Sequence, residues 1–398
     1  MKKLVKKNWQ KVLCIVCVLS LFASFTAGCS IGKKSKIEQM ETKASKIESV
    51  IDKYYLNDVD EENVTENVYK GIMNGLDDPY SVYYTKKEYE KLQEETTGTY
   101  VGIGVSVRMD TDTGYIKVVK AFENGPAYKV GIKDGDYITK VKGKDVAGKE
   151  LENVIGDIKG EEGTTVDVTV YRASDDKYYD YTIKRANVDV PTIEYEMLDN
   201  QIGYIKVAEF DDITSSQYIE ALNNLEKQNE KGLIVDLRDN PGGVLSVVVE
   251  MLNHMLPKGT IVYTEDKNGK GESYYSDGKH PFTKPLVVLV NGNSASASEI
   301  FTGAVKDYGI GTIVGTKTFG KGIVQRLFPL DDGTAIKLTV SKYFTPNGTC
   351  IHGEGIKPDV EVEYDASKQT GKEYNKEQDN QLQKAIEVMN EKITKSEK

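Results

Sequence analysis

Residues 286–299 read Leu286-Val287-Val288-Leu289-Val290-Asn291-Gly292-Asn293-Ser294-Ala295-Ser296-Ala297-Ser298-Glu299. An uncharged apolar run, a polar turn with glycine and then the stretch Ile300–Tyr308 describe a buried strand that enters a helix. The same unit recurs around it. The strand Ile202–Val207 precedes a helix near Ser215–Asn229, the strand Gly232–Leu237 precedes a helix near Leu245–Leu256, and Ile310–Val314 is a further strand. Strands alternating with helices over residues 190–365 predict an α/β domain.

Residues 97–187 change character. Tyr100-Val101-Gly102-Ile103-Gly104-Val105-Ser106-Val107 alternates, as do Tyr115–Val119 and Thr165–Tyr171, with glycine turns between them. A small β-rich module is expected there. Residues 36–96 read as helical. Ile37, Met40, Ile47, Ile51, Tyr54 and Tyr55 fall near a 3.6-residue period, Gly75-Leu76-Asp77-Asp78-Pro79 interrupts it, and Lys86–Glu95 resumes it. The tail, 366–398, reads as a Lys/Glu/Gln-rich linker and one amphipathic helix over Asp379–Lys395, with Leu382, Ala385, Ile386 and Met389 on one face.

Residues 1–29 read as an export segment. Lys2, Lys3, Lys6, Lys7 and Lys11 precede an uncharged run from Val12 to Gly28, which leads into Ala27-Gly28-Cys29-Ser30. The run just reaches the ~17–25 residues that a membrane-spanning helix needs, so an uncleaved anchor is the alternative to cleavage. Thr26-Ala27-Gly28-Cys29 also resembles a bacterial lipobox, in which the cysteine is lipidated; Thr26 stands where Leu, Val or Ile is usual. All three readings place the body outside the cytoplasm, at the cell envelope and close to the cytoplasmic membrane. Cys14, Cys17 and Cys29 lie in this segment, so Cys350 stands alone in the body and is expected to be structural.

Composition narrows the function classes. With 39% hydrophobic and 29% charged residues, the 398-residue chain has the composition of two or three folded domains. Fifty-two basic against 62 acidic residues give a net charge of −10, and the first eleven residues hold only basic charges, so the remainder is more acidic still. Such a body repels nucleic acid, and no basic stripe with interleaved aromatics offsets this.

Three segments of the α/β region carry chemistry. Leu237-Arg238-Asp239-Asn240-Pro241-Gly242-Gly243 follows the strand Leu233–Asp236, and paired glycines ahead of a helix expose backbone N–H groups that suit an oxyanion. In Asn293–Glu299, a serine at a helix N-terminus sits at the positive end of the helix dipole, which favours a developing alkoxide; helix capping is the alternative use. Gly315-Thr316-Lys317-Thr318-Phe319-Gly320-Lys321-Gly322-Ile323-Val324-Gln325 nearly spells a phosphate-binding loop, Gly-x-x-x-x-Gly-Lys. Gly322 stands where Ser or Thr should hold magnesium, and an apolar strand-like run follows where a helix is needed. A nucleotide is therefore not expected. The lysine has another use, because partial burial disfavours its ammonium and a neutral amine is a general base. Only three histidines occur (His254, His280 and His352), none in a recognisable catalytic context, and no Gly-x-Ser-x-Gly is present. A Ser–Lys pair is the known alternative.

Gly125-Pro126-Ala127-Tyr128-Lys129-Val130-Gly131-Ile132-Lys133-Asp134-Gly135-Asp136-Tyr137-Ile138 resembles the part of bacterial PDZ domains where a short helix leads through a Gly-Asp turn to a strand. The resemblance implies that Val101, Gly102, Ile103 and Gly104 form the loop that receives a chain terminus. Its N–H groups would converge on a carboxylate while the adjoining strand edge pairs with the peptide. The order of export segment, helices, PDZ-like module, Ser-Ala-Ser-Ala-Ser-Glu and Phe-Gly-Lys-Gly-x-Val-Gln resembles the C-terminal processing (tail-specific) serine protease family over about residues 45–395. The likeness extends to Leu76–Ser81, to Pro346-Asn347-Gly348 and to Gly355–Asp359.

That resemblance implies a crotonase-like α/β protease core at 190–365, an inserted PDZ domain at 97–187, and N- and C-terminal helices at 36–96 and 366–398. It implies Ser296 as nucleophile, Lys321 as base and Gln325 as the residue orienting the lysine. The N–H groups of Gly242 and Ala297 would form the oxyanion hole, since Pro241 has none to give. Arg172, which ends the strand Val166–Tyr171, lies about where some relatives have a regulatory arginine coupling PDZ to core. No metal or cofactor is needed. The expected partners are protein substrates bound through their C-terminal tails, the membrane through the N-terminus, and a second copy through the terminal helices. A non-catalytic PDZ scaffold is the alternative.

Overall fold

The computed structural model describes residues 36–371 and 374–397, so the export segment and Cys29 lie outside the described residues. The chain divides after Val68. Before the division, the helix Lys36–Tyr54 leaves Met40, Ile47 and Val50 exposed.

The body is organised by a six-stranded sheet in the order Ile193–Leu198, Ile202–Val207, Gly232–Asp236, Leu286–Val290, Thr312–Gly315 and Val360–Glu361, parallel after the first pair. Its strands are continuous apolar runs because both faces are covered. Leu286, Val288 and Val290 pack with the helices Thr214–Lys227, Leu245–Asn253 and Ala297–Asp307. Val287 and Leu289 turn the other way, onto Leu382, Ala385, Met389 and Ile393 of the helix Asn380–Ser396. The tail helix is thus one face of the core. Asp379 caps it by accepting the Gln381 and Leu382 N–H groups.

A second sheet joins Val82–Tyr84, Ala335–Phe344, Gly259–Asp266 and Ser273–Ser276, with Ile323–Pro329 paired to Ala335–Phe344. This corrects the helical reading of 36–96, since Val82–Tyr84 pairs antiparallel with Lys337–Ala335. A three-residue strand has no period to read, and only its pairing partner at Ala335–Lys337, far along the chain, defines it. The helix Lys86–Thr97 starts with a capping box between Thr85 and Glu88 and stops at Gly98, whose φ is 68°.

The alternating run 100–107 is likewise two strands. Thr99–Gly102 pairs with Ala186–Asp189, which brings the two ends of the β-rich module side by side. Val105–Met109 is an edge strand of the module's own sheet, which also holds Ile116–Ala121, Tyr137–Val141, Thr165–Arg172 and Lys177–Lys184. Between them Gly104 has φ 80°, and a Cβ there would stand 2.7 Å from the Gly125 Cα. Only glycine allows that approach. Fifteen buried apolar residues, among them Ile116, Ile138, Val168 and Ile183, give the module its own core.

Candidate active site

The three segments singled out above meet for a topological reason. The strands Gly232–Asp236, Leu286–Val290 and Thr312–Gly315 are adjacent and parallel, and each segment follows the carboxyl end of one of them. Loops at that edge of an open α/β sheet form its natural crevice. Here they enclose a cavity of about 470 Å³ lined by Ser296, Ala297, Gly243, Lys321, Gln325 and Tyr343, among others.

The three serines of residues 294–298 have different surroundings. Ser294 and Ser298 are fully buried, and their hydroxyls donate to the Leu237 carbonyl at 2.8 Å and the Asn240 carbonyl at 3.0 Å. They staple the serine turn to the glycine loop. Ser296 is half-buried, lines the cavity, and holds φ 54° and ψ −112° immediately before the helix. For a residue with a side chain this backbone conformation costs on the order of 1–3 kcal/mol and persists only where its surroundings impose it. Those surroundings include the Tyr343 hydroxyl, which donates to the Ser296 carbonyl at 3.0 Å, and Gly242, where a Cβ would lie 2.8 Å from the Ser296 Cβ.

Glu299, quoted in the sequence motif without a role, proves to be the hub. Its buried carboxylate accepts the Ser296 N–H at 3.0 Å, the Thr318 hydroxyl at 2.6 Å, the Gly320 N–H at 2.7 Å and the Lys321 N–H at 2.8 Å. One side chain therefore sets the nucleophile turn and the lysine loop against each other. The signal was a single acid in the first turn of a helix whose next residues, Ile300 to Val305, carry no charge. The glycines around Lys321 serve backbone packing, since a Cβ on Gly322 would meet the His352 nitrogen at 2.5 Å. The loop leads into the strand Ile323–Pro329, as the failed phosphate-loop pattern suggested.

Lys321 lies half-buried with its ammonium 4.6 Å from the centre of the Tyr80 ring. Burial and the neighbouring Lys337 ammonium push its pKa below the ordinary lysine value, against the pull of Asp78 and Glu299. The segment Leu76–Ser81 matters because it aims Tyr80. Its Asp78 carboxylate accepts the Ser81 hydroxyl at 2.6 Å and the Tyr80 N–H at 3.0 Å, and Ser81 in turn accepts the Thr339 N–H at 3.1 Å. Gln325 donates to the Thr339 hydroxyl at 3.3 Å, and among the described residues its amide oxygen accepts no hydrogen bond.

The glycine loop departs from expectation in one detail. The Gly242 N–H donates to the Asn240 side-chain oxygen at 2.8 Å, while Asn240 itself is anchored on the Val207 carbonyl at 2.9 Å. Among the described residues, the N–H groups of Gly243 and Ala297 have no acceptor, and both residues line the cavity. None of the three histidines lines it; His254 and His280 stack on each other at 4.5 Å elsewhere. Among the described residues no group of three or more His, Cys, Asp or Glu could hold a metal ion.

In the β-rich module, Ile103 is buried, with its carbonyl accepting the Ala127 N–H at 2.7 Å, and Val101 and Gly102 are paired to Asn187 and Ala186. The Tyr100 hydroxyl accepts the Val105 N–H at 3.2 Å, so it already holds one donor beside the Ile103-Gly104 turn. Among the described residues, the hydrogen bonds, ion pair and ring contact of Arg172 all lie inside the module. Its guanidinium bridges both carboxylate oxygens of buried Asp136, at 2.8 and 2.7 Å, donates to the Gly131 carbonyl at 2.8 Å, and lies 4.7 Å from the Tyr179 ring centre. Among the described residues it forms no hydrogen bond or ion pair with the core, so any coupling by Arg172 through such bonds has to pass through the module's own fold.

Comparison with known proteins follows the same divisions. The model of peptidase family S41 matches residues 201–362, that of the PDZ domain residues 101–184, and that of the activating protease CtpB N-terminal domain residues 26–88. A CtpA-like serine protease of Staphylococcus aureus is 36% identical over 372 residues, covering 91% of this chain and 74% of that protein. The carboxy-terminal processing protease CtpB of Bacillus subtilis is 36% identical over 332 residues, covering 82% of this chain and 69% of that one. A solved S41-family structure from Bacteroides fragilis superposes with a TM-score of 0.51 at 17% identity, over 81% of this chain and 90% of its own, which shows a shared fold. The chain is a serine-type peptidase carrying a PDZ domain. It belongs to peptidase family S41, among the carboxy-terminal processing proteases.

Proposed function

We propose that this chain is an extracytoplasmic endopeptidase that captures the C-terminal tails of proteins on its PDZ domain and cleaves them with a Ser296–Lys321 pair. The observation that carries the reading is the strained Ser296 at a helix N-terminus, in one cavity with a lysine whose ammonium is disfavoured. Neutral Lys321 takes the Ser296 proton as the hydroxyl oxygen attacks the peptide carbonyl. The N–H groups of Ala297 and of the 242–243 loop hold the resulting oxyanion. Lys321 returns the proton to the leaving amine, and water then hydrolyses the acyl-enzyme. Gln325, its Nε2 turned to Thr339, offers its free amide oxygen to the lysine. The tail would lie along the edge strand Val105–Met109 with its carboxylate at Val101–Gly104, and Arg172 would relay its presence by stiffening the module. The basic and apolar pattern of residues 2–28 supports attachment to the membrane, through an anchor or lipidated Cys29. The exposed Met40, Ile47 and Val50 support self-association through the terminal helices.

The tail reading is tested with one protein substrate carrying a free or an amidated C-terminus. The free form is expected to be cut about ten-fold faster at limiting substrate, the worth of one charge-assisted hydrogen bond. Equal rates would sink it. The base is tested by pH. Since only the neutral amine accepts a proton, kcat/KM should fall as pH drops through the Lys321 pKa. Lys337→Ala removes a repulsion that lowers this pKa, so the limb should move to higher pH. A limb that stays or moves to lower pH removes Lys321 from the role.

A further inference from the structure

The strand Ile202–Val207 supplies a fourth segment to the active-site edge, and its chemistry is unused by the mechanism above. Phe210 is laced onto the glycine loop, its N–H donating to the Gly242 carbonyl at 3.0 Å and its carbonyl accepting the Val244 N–H at 2.7 Å. Asp211, the next residue, lines the same cavity as Ser296 and is 8% exposed. Its backbone is satisfied by Thr214, whose hydroxyl accepts the Asp211 N–H at 2.9 Å and whose N–H reaches the Asp211 carbonyl at 2.9 Å. Its carboxylate has no hydrogen-bond or ion-pair partner among the described residues. A buried acid left in this way is costly unless something completes it.

Around it the wall is acidic. Glu209 and Glu95 line the cavity too, and Asp212 adjoins, its N–H held by the Thr96 carbonyl at 3.0 Å. Burial and these three carboxylates push the Asp211 pKa up to about 7. Lys91 pairs with Glu95 at 3.8 Å on the exposed side, and among the described residues the cavity lysines, Lys321 and Lys337, form no ion pair with Asp211. Besides the polar groups around Ser296 and Lys321, the lining has an apolar part that includes Leu92, Phe210, Leu245 and Ile300. A long aliphatic stem ending in a positive charge matches both parts.

We propose that Asp211, flanked by Glu95 and Glu209, is a substrate subsite that selects a lysine or arginine side chain near the scissile bond. This rests on the peptidase reading, because the cavity is a subsite only if Ser296 acts on peptides. The test uses peptides with Lys, Leu or Glu placed in turn at each position flanking one cleavage site, assayed on the full chain and on Asp211→Asn and Asp211→Glu. At one position the Lys peptide should exceed the Leu peptide in kcat/KM by on the order of 30-fold, as a desolvated charge pair allows. Asp211→Asn should collapse that ratio and Asp211→Glu should keep most of it. In wild type the ratio should fall as pH drops through about 7, where Asp211 gains its proton. Using a ratio cancels the titration of Lys321, which acts on both peptides alike. No position with a Lys preference, or a ratio unchanged in Asp211→Asn, overturns the subsite. An equal pH shift for both peptides in that variant would instead make Asp211 a partner of Lys321. Cleavage that persists in Ser296→Ala is a separate result, and would remove the Ser296 nucleophile on which this placement of the subsite rests.

Discussion

Ser296→Ala is expected to lower kcat/KM on a protein substrate by at least about 10⁴-fold, because nucleophile and base act as one unit and no second group can replace either. Lys321→Ala should match it, and so should Lys321→Arg, whose guanidinium keeps its proton at any working pH. Stability should respond differently. Ser296 occupies φ 54° and ψ −112°, so alanine inherits the strain and leaves the urea midpoint nearly unchanged. Ser296→Gly should be equally inactive but more stable, by about 1 kcal/mol, since glycine enters that region freely. A dead enzyme that is more stable than its parent is the mark of strain held for function. Ser294→Ala and Ser298→Ala should behave in the opposite way. Each removes the hydroxyl donor to a carbonyl of the glycine loop, Leu237 or Asn240, which keeps a backbone donor in the Asn240 or Ala295 N–H, so each should destabilise by about 0.5–1.5 kcal/mol while keeping measurable turnover. If either silences the enzyme and Ser296→Ala does not, the nucleophile is assigned to the wrong serine.

The second large effect should come from Glu299→Gln. The carboxylate is fully buried and accepts four hydrogen bonds, three from backbone N–H groups and one from Thr318. An amide presents an NH₂ to donors where an oxygen stood, so at least two of those bonds are lost and two N–H groups meet. Each bond to a charged group is worth roughly 1.5–3 kcal/mol, which sets the expected destabilisation at about 3 kcal/mol or more in urea unfolding. Activity should fall with it even where the variant is folded, because the same side chain spaces Ser296 from Lys321. Thr318→Ala provides the graded control. It removes one of the four donors and should cost about 1–2 kcal/mol with a smaller loss of kcat. A Glu299→Gln enzyme with wild-type unfolding and wild-type kcat would show that the two loops are held by other means.

Particular elements show how far the residues could be read in advance. Leu286–Val290 and Gly232–Asp236 were legible as buried strands because both faces of a covered parallel sheet demand apolar side chains, and that demand is written locally. The helix Lys86–Thr97 was equally local, and Lys86–Glu95 was read as its helical stretch. Val82–Tyr84 was not legible, since three residues carry no period and their pairing lies across the chain at Ala335–Lys337. Nor was the break in 100–107, where alternation continues through Ile103-Gly104 although the chain changes sheets. In the site, the motif residues could be named, but their partners could not. Glu299 stood in the quoted motif as one more acid near a helix start, and Asp211 stood in no motif at all.

The sequence alone determined the covered α/β core, the separate β-rich module and the short list of chemically able residues, because these follow from composition and spacing within single elements. The tertiary structure decided which members of that list share a cavity. It turned Ser294 and Ser298 into staples and left Ser296 at the opening, drew the Gly242 N–H onto Asn240, confined Arg172 to the module, and placed Tyr80 and Lys337 around Lys321. The physical reason is the same in each case. Burial, strain and proton affinity depend on atoms brought within a few ångströms by strand adjacency, and adjacency joins residues that lie tens to hundreds of positions apart in the chain.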